Sequence, residues 1–323
     1  TLPYALSYLN IYGKGTLFVM LTMGLNSFIN TQGFSKVGMK TVLIGAVCNI
    51  ILDPVFIFVF GMGVQGAALA TVISQAVSAV WVILFLTGKQ TKLKIKTKYF
   101  KPKVSILLPV CALGVSPFIM NATESAINIA FNASLSRYGG DVAVGAMTIL
   151  SSIMQLQFMP VQGIAQGAQP IMSFNYGAKK MDRVKKAYRL LMICSFTYTM
   201  IFCLAVEIAP GFFVHLFNSS SQELFEMTKW ALRIYMAATG VFGIQLAVQQ
   251  VFMALGQAKI SLFIACLRKI ILLIPLIYIL PHFFADKVFA VFLAEPVSDF
   301  ISVTVAATLF FLNIKKILKE GEV

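Results

Sequence analysis

Residues 38–60 read GMKTVLIGAVCNIILDPVFIFVF, and this stretch decides the class of fold. It carries one cation near its start, Lys40, and one acid deep inside, Asp53. A helix needs about 20 predominantly apolar residues to cross a bilayer. The apolar residues follow one another without the alternation that is typical of β-barrel strands. The stretch therefore predicts a transmembrane helix with an acid in its interior.

The rest of the chain has the same character. Of its 323 residues, 59% are hydrophobic and 12% are charged, and the mean hydropathy is +0.85. This composition excludes a disordered chain and argues against a soluble enzyme, which could not bury so much apolar surface. The five cysteines all lie in apolar runs, so they predict neither a disulfide framework nor a metal site. We predict an all-α polytopic membrane protein with nine transmembrane helices, at roughly 5–30, 38–60, 64–87, 104–135, 142–174, 190–216, 228–255, 258–281 and 287–312.

The basic residues predict the orientation of these helices. When the connections are numbered alternately, 21 of the 26 Lys and Arg residues fall on one side, Arg268 and Lys269 among them. The positive-inside rule places this side, and the C-terminal tail, in the cytoplasm. The net charge of +14 then serves topology and contact with anionic membrane lipids. A nucleic-acid partner is not expected, because no basic stripe alternates with aromatic residues.

Nine crossings with a cytoplasmic C-terminus place the N-terminus outside. The chain begins with Thr1, and the first predicted helix follows at once. We therefore expect a fragment whose N-terminal helices are missing, and a protein with nine helices is the alternative.

A weak internal repeat supports this expectation. Three pairs of segments align in order, with offsets of 223, 221 and 224 residues: 32–36 with 255–259, 50–54 with 271–275, and 69–75 with 293–299. The first three helices then repeat as the last three, in the same orientation. Completing the pattern gives two six-helix lobes, twelve helices in all, with three missing. We predict four parts: 1–88 as helices 4–6 of the N-terminal lobe, 89–103 as a basic cytoplasmic linker, 104–313 as helices 7–12 of the C-terminal lobe, and 314–323 as the tail.

Polar residues inside a membrane are costly, so each needs a reason. Asn49 and Asp53 are four residues apart and share a helix face, and Pro54 leaves a backbone carbonyl one turn earlier without its usual donor. Thr71 on the next helix could add a hydroxyl. Such oxygens suit a transferable proton or Na⁺, so we predict an ion-coupling site with a metal role for Na⁺. A structural hydrogen bond from Asp53 to a neighbouring helix is the alternative.

Further polar residues lie on the helices of the predicted C-terminal lobe. One face of helix 104–135 and one stripe of the following helix carry these side chains: Asn121, Glu124, Asn128, Asn132, Gln155, Gln162, Gln166 and Gln169. They predict the walls of a wet cleft, with Glu124 as an ion-coupling acid; hydrogen bonds between helices are the alternative for the amides. Glu295 and Asp299, again four residues apart, are candidates for contact with a proton or a cationic drug.

One motif is misleading. Residues 61–66 read GMGVQG, which is a dinucleotide-binding fingerprint by letter. The preceding apolar run is a whole membrane span, and no acid follows about 20 residues later. The glycines instead predict a tight extracellular turn and close helix packing. No cofactor-binding or catalytic motif remains.

Three of these segments resemble the bacterial MATE (multidrug and toxic compound extrusion) family, and its MepA-like branch in particular. They are NIILDP at 49–54, GVQGAALATVISQ at 63–75, and QGIAQGAQP at 162–170 with NYGAKKMDRVK at 175–185. The resemblance covers the whole chain, from the family's fourth helix to its twelfth.

The resemblance implies a V-shaped, two-bundle fold in a bacterial cell membrane and export of cationic, amphipathic drugs by antiport with H⁺ or Na⁺. It implies that Asn49, Asp53 and Thr71 belong to the cation site, and that Glu124 is the candidate acid of the seventh helix. The tenth helix has polar residues instead of an acid, Thr239, Gln245 and Gln249, which we assign to the substrate cleft together with the amide stripes. We expect a monomer. The alternatives are a flippase for lipid-linked oligosaccharide in the same superfamily and a non-transporting membrane scaffold.

Overall fold

The computed structural model describes residues 2–95, 103–217 and 221–322, and every regular element in these ranges is helical. Eleven α-helices follow one another: α1 (Leu2–Thr31), α2 (Ser35–Pro54), α3 (Gly63–Thr87), α4 (Val104–Gly177), α5 (Met181–Ile208), α6 (Pro210–His215), α7 (Gln222–Tyr235), α8 (Thr239–Ala254), α9 (Ala258–Cys266), α10 (Ile274–Ile279) and α11 (Lys287–Glu322). A first π-helix, Val55–Val59, continues α2, and a second, Leu267–Leu273, joins α9 to α10. The short 3₁₀ turn Leu280–His282 follows α10.

These helices coincide with the predicted apolar segments, but the count of nine membrane crossings is not confirmed. By length and composition, six helices of the described residues can cross a membrane, or seven if α7 and α8 form one span with a 52° bend. The helix α4 covers two predicted segments. At 1.5 Å per residue its 74 residues are far longer than a bilayer is thick, and its backbone breaks at Gly140, where φ is +66°.

The chain divides into two compact units, Thr1–Leu107 and Leu108–Val323. The first unit consists of α1, α2 and α3, which pack on one another through small residues. Ser78 of α3 donates a hydrogen bond to the carbonyl of Thr41 in α2 (3.2 Å), next to Gly45. Small side chains allow such close approach, which replaces the hydrophobic effect as the packing force in a membrane. The predicted four-part division of the chain stays a prediction.

The glycines of 61–66 have the structural role that we predicted. Gly61 and Gly63 both have positive φ angles, in the turn between the first π-helix and α3. A Cβ atom at Gly66 would lie 2.7 Å from the backbone oxygen of Phe56, so this position needs glycine for close packing.

The second unit has two apolar clusters. The first cluster is centred on α4, α7 and α11, with Phe131, Leu150 and Phe292 fully buried. The second cluster joins α5, α8 and the C-terminal half of α11, around Phe252 and Ile264. Large apolar side chains elsewhere are exposed, for example Phe58 and Ile208, as a bilayer-facing surface requires.

The helices α8 and α5 approach each other closely at Gly243. A Cβ atom at this position would lie 2.6 Å from the backbone oxygen of Ser195 and 2.5 Å from the hydroxyl of Thr199. We expect Gly243→Ala to lower the free energy of unfolding by about 1–3 kcal/mol, because a backbone contact cannot move aside. Thermal unfolding in detergent measures this loss. Gly167→Ala in α4, where a Cβ meets nothing within 4 Å, is the matched control and should leave the unfolding temperature unchanged or higher. Equal effects of the two substitutions would contradict the packing argument.

Candidate ion-binding sites

The first unit brings Asn49 and Asp53 together on one face of α2. The side-chain amide of Asn49 donates a hydrogen bond to Oδ1 of Asp53 at 3.2 Å, and both side chains are half-buried. Pro54 ends α2, and the first π-helix begins directly after it. Because the amide nitrogen is engaged with the carboxylate, the amide oxygen of Asn49 and Oδ2 of Asp53 stay available as acceptors.

Thr71 is not joined to this pair by a hydrogen bond. Its hydroxyl donates to the carbonyl of Ala67 at 2.9 Å, in its own helix α3, and the side chain is half-buried. The two lone pairs of the hydroxyl oxygen are not used by this bond. The role of Thr71 in an ion site therefore stays a prediction, while Asn49 and Asp53 are already in contact.

In the second unit, Glu295 and Asp299 of α11 bind an arginine. Arg268, in the second π-helix, donates from Nε to Oδ1 of Asp299 at 2.5 Å and from a terminal nitrogen to Oε1 of Glu295 at 2.6 Å. The exposed fractions of the three side chains are 7% for Arg268, 4% for Glu295 and 0% for Asp299. We call these three residues the buried triad.

Two more contacts hold the buried triad in place. The guanidinium carbon of Arg268 lies 4.3 Å from the centre of the Phe242 ring, which is a cation–π contact from α8. The hydroxyl of Ser298 donates to the backbone carbonyl of Arg268 at 2.8 Å. In a helix that carbonyl normally accepts a bond from its own chain, so a side chain here supports the irregular backbone of the π-helix.

The position of Arg268 corrects one assignment made from the sequence. We counted Arg268 and Lys269 among the 21 cytoplasmic cations, but Arg268 lies ten residues inside the segment that begins at Ala258. At 1.5 Å per residue, this is about 15 Å from the start of the helix. The remaining cations still favour the same side. The signal that could have revealed Arg268 is the uncharged run on both of its sides, residues 260–267 and 270–281.

Glu124 also has a cationic partner. Lys269, next to Arg268 in the second π-helix, forms an ion pair with Oε1 of Glu124 in α4. The side chain of Glu124 is 54% exposed, while that of Lys269 is 13% exposed. The acid that we predicted for ion coupling is therefore neutralised by a neighbour from another helix of the same unit.

The predicted amide stripes of α4 lie on the surface of the second unit. The side chains of Asn128, Asn132, Gln155, Gln162 and Gln166 are exposed, and that of Gln169 is half-buried. The side chain of Asn121 lies outside the described residues. An exposed amide face is compatible with a wet cleft, and that assignment stays a prediction.

The other predicted cleft residues are buried and have partners within the second unit. The hydroxyl of Thr239 donates to the carbonyl of Met236, and Gln245 accepts a 2.6 Å hydrogen bond from Ser302. Gln249 is buried in the same helix α8. Glu295 and Asp299 belong to the buried triad. The structure thus buries these five side chains within the second unit, and their assignment to the substrate cleft stays a prediction.

The bend between α7 and α8 depends on side chains that the sequence did not single out. Gln157 of α4 donates to the carbonyls of Thr199 (3.2 Å) and Thr239 (3.3 Å). Thr199 donates to the carbonyl of Gly240 at 2.7 Å. These hydrogen bonds tie the first turn of α8, directly after the bend, to α4 and α5.

We expect Gln157→Leu to destabilise the second unit by about 1–3 kcal/mol, because it removes two buried hydrogen bonds that join α4 to α5 and α8. The midpoint of thermal unfolding measures this change. Gln155→Leu removes an exposed amide two residues earlier and should have little effect. A similar loss in both variants would mean that Gln157 does not support the bend.

A cavity of about 450 Å³ lies between the bend and α11. Its lining is wholly apolar: Ala237, Ala238, Val241, Pro296, Val297, Phe300 and Ile301. Pro296 follows Glu295 directly, so the same turn of α11 forms a wall of the cavity and holds the buried triad. Within the described residues, no group of three or more His, Cys, Asp or Glu side chains could hold a metal ion.

Comparison with known proteins agrees with this architecture. The family model MatE matches residues 117–279, just over half of the chain. Among curated relatives, the multidrug export protein MepA of Staphylococcus haemolyticus is 25% identical over 311 residues, covering 96% of this chain and 68% of the relative. The MepA protein of Staphylococcus aureus is 27% identical over 284 residues, covering 88% of this chain and 62% of the relative. The chain thus spans about two thirds of the length of these relatives.

Solved structures support the fold. A multidrug resistance MATE family transporter of the MOP superfamily, in an outward-facing conformation, has a TM-score of 0.89 with 21% identity. The alignment covers 98% of this chain and 70% of that structure. A MOP superfamily transporter from Pyrococcus furiosus, described as having a binding pocket of reversed polarity, also has a TM-score of 0.89 with 21% identity. That alignment covers 97% of this chain and 70% of the Pyrococcus furiosus structure.

The helices and their internal ion pairs define a class, the polytopic α-helical membrane proteins with charged groups inside the membrane segments. Within that class, the chain belongs to the MatE family, as the family model and the MepA relatives show. The relatives are named as export proteins and transporters rather than as enzymes. The resemblance noted in the sequence is thus confirmed.

Proposed function

We propose that this chain belongs to a secondary active multidrug exporter of a bacterial cell membrane, which expels cationic amphipathic compounds by antiport with H⁺ or Na⁺. The observation that carries the proposal is the Asn49–Asp53 pair, an acid and an amide in contact in the second half of a membrane-length helical segment. The names of the MepA relatives support the export of drugs.

The pair has the chemistry that ion coupling needs. A carboxylate with a free oxygen can take a proton, and a carboxylate with an amide oxygen can bind Na⁺, since hard cations prefer oxygen ligands. Asn49 and Asp53 each offer one such oxygen beyond their mutual hydrogen bond. The half-buried position of Asp53 gives an ion access while it keeps the charge partly out of water.

Coupling then follows from differential affinity. An ion drives a conformational change only if it binds one state of the protein more tightly than the other. In this mechanism, ion binding at Asp53 favours one state, and drug binding favours the other. The cation and the cationic drug are thereby exchanged across the membrane.

The substrate contacts follow from the second unit. A cationic amphipathic compound needs an apolar surface for its body and polar oxygens for its charge. The apolar cavity beside the α7–α8 bend offers the first, and the exposed amides of α4 offer the second. We therefore propose that the drug contacts the amide stripes of α4, with Asn128 before the break at Gly140 and Gln155 and Gln162 after it.

Ethidium efflux from cells that express the intact gene product tests the proposal. Efflux is measured in Na⁺-free and Na⁺-containing buffer, with and without a protonophore. Efflux that needs no Na⁺ and stops with the protonophore identifies proton antiport, and efflux that needs Na⁺ identifies sodium antiport. The absence of efflux under every gradient contradicts the proposal and favours the flippase for lipid-linked oligosaccharide.

A further inference from the structure

The buried triad has no role in the mechanism above, although it is the most buried set of charges among the described residues. We propose that Arg268, Glu295 and Asp299 form a second ion-coupling site, in the C-terminal unit, whose ligand is a single proton. This inference rests on the proposed function, because it adds a second coupling step to the same transport cycle. The proton would bind to a carboxylate of Glu295 or Asp299 and leave it again, with no other bond broken.

The first argument is charge. Two carboxylates face one guanidinium, so the triad carries a net charge of −1 when both acids are ionised. An uncompensated charge in a buried, membrane-spanning segment is costly, and one bound proton removes it. A structural ion pair would need only one of the two acids.

The second argument is the pair of oxygens that Arg268 does not reach. Oε2 of Glu295 and Oδ2 of Asp299 are both buried and have no hydrogen-bond partner. Buried acceptors without a partner are rare and costly. At present each of these oxygens is an acceptor that no donor reaches. A proton bound to either oxygen turns that oxygen into a hydroxyl donor, so the two oxygens are suited to bind H⁺.

The third argument is the internal repeat. The offset of 224 residues places Glu295 opposite Thr71, and Asp299 opposite Gln75. The offset of 221 places Ile270, two residues after Arg268, opposite Asn49. The triad thus lies between the two helices that correspond to α2 and α3, which carry the predicted cation site of the first unit.

The repeat also explains why the ligand is a proton. In the second unit, the guanidinium of Arg268 lies between the second π-helix and α11. In the corresponding helices of the first unit, the predicted site consists of Asn49, Asp53 and Thr71, which include no cation. A tethered cation already holds one oxygen of each acid, so each acid keeps one oxygen without a partner. A proton needs one oxygen, whereas Na⁺ needs a shell of several.

The surrounding ionisable groups do not cancel the charge of the triad. Lys269 and Glu124 act on Glu295 as well, but they pair with each other and together are neutral. Tyr235, buried at the end of α7, is the other ionisable side chain whose interactions reach all three members of the triad. The helix α8 contributes Phe242 and has no acidic or basic side chain.

The buried triad lies next to the apolar cavity beside the α7–α8 bend, so proton binding can affect that cavity. Protonation of one acid replaces its ion pair with Arg268 by a weaker hydrogen bond between the guanidinium and a neutral carboxyl group. The tie between the second π-helix and α11 then loosens at the turn that also carries Pro296 and Val297, a wall of the apolar cavity. Loading of the proton can therefore change the cavity without any contact between proton and drug.

Infrared difference spectroscopy of the intact protein in detergent tests the site directly. A pH titration follows the C=O band of protonated carboxyl groups in wild type, Glu295→Gln, Asp299→Asn and Glu226→Gln. Glu226 is exposed in α7 and serves as the matched control. We expect one component of the pH-dependent C=O band to be present in wild type and in the control and to be lost in at least one of the two triad variants. Both triad variants keep a hydrogen-bond partner for Arg268, so we expect them to fold.

Two results overturn the proposal. If the pH-dependent band is the same in all four proteins, or absent from all, the triad does not take up a proton. If Na⁺ added at constant pH removes the band, the ligand is a metal ion.

The measurement needs no transport, so it separates the proton site from the proposed function. A band that behaves as expected in a protein without drug efflux would reject the proposed function and leave the proton site intact. In an active protein, the variant that loses the band should lose proton-driven ethidium efflux by about tenfold or more, while Glu226→Gln keeps it.

Discussion

Replacing Arg268 with methionine is expected to lower the free energy of unfolding by about 3–5 kcal/mol, because two buried carboxylates then lose the cation that pairs with both of them. Glu295 and Asp299 are at most 4% exposed, so water cannot replace the guanidinium. For many domains this loss is a large part of the total stability, so a steep fall in the amount of protein in the membrane should accompany it. Thermal unfolding in detergent and the yield after purification measure the effect.

Two further variants separate charge from packing. Arg183→Met removes an exposed arginine from the start of α5 and should change the unfolding temperature little. Combining Arg268→Met with Glu295→Leu and Asp299→Leu removes all three charges, and we expect it to restore most of the lost stability. A triple variant as unstable as Arg268→Met would mean that the shape of Arg268, rather than its charge, supports the fold.

Replacing Asp53 with asparagine is expected to reduce ion-driven efflux by about 5- to 150-fold, the range of a typical coupling free energy. Asparagine has nearly the same shape and can still accept the hydrogen bond from Asn49, but it cannot take a proton and carries no charge for Na⁺. The initial rate of ethidium efflux, corrected for the amount of protein in the membrane, measures the effect.

Asp182→Asn is the matched control for this prediction. Asp182 lies in the first turn of α5, its side chain is 94% exposed, and its one ion pair with Lys185 is a weak surface contact of 3.8 Å. We expect normal efflux from this variant. Intact efflux from Asp53→Asn would show instead that the Asn49–Asp53 pair is structural and that coupling depends on other groups.

Much of the fold follows from local chemistry. Segments as long and apolar as 38–60 have one stable conformation in a bilayer, because every backbone polar group must find its partner within the helix. Asn49 and Asp53 are four residues apart, so they share a face of the helix whatever the neighbouring helices are. The turn at Gly61 and Gly63 follows from the freedom of glycine at positive φ.

The buried triad shows what such arguments miss. Glu295 and Asp299 could be paired on one face of α11, but their partner lies 27 and 31 residues away on another helix. Hydropathy and charge counting assigned Arg268 to the cytoplasmic surface, since a cation usually marks the end of a span. Gln157 was not identified from the sequence for a similar reason: its partners are the backbone carbonyls of Thr199 in α5 and Thr239 in α8, which are distant in the sequence.

The amino-acid sequence alone determined that this protein is helical and membrane-embedded, which segments are apolar, and which polar residues share a helix face. These properties depend on composition and on the 3.6-residue period, both of which are local. Only the tertiary structure decided that Arg268 pairs with both Glu295 and Asp299, that Lys269 pairs with Glu124, and that Thr239, Gln245 and Gln249 of α8 are buried. The reason is that each pairing depends on the rotation and depth of one helix against another, which packing sets and the period of a single helix does not.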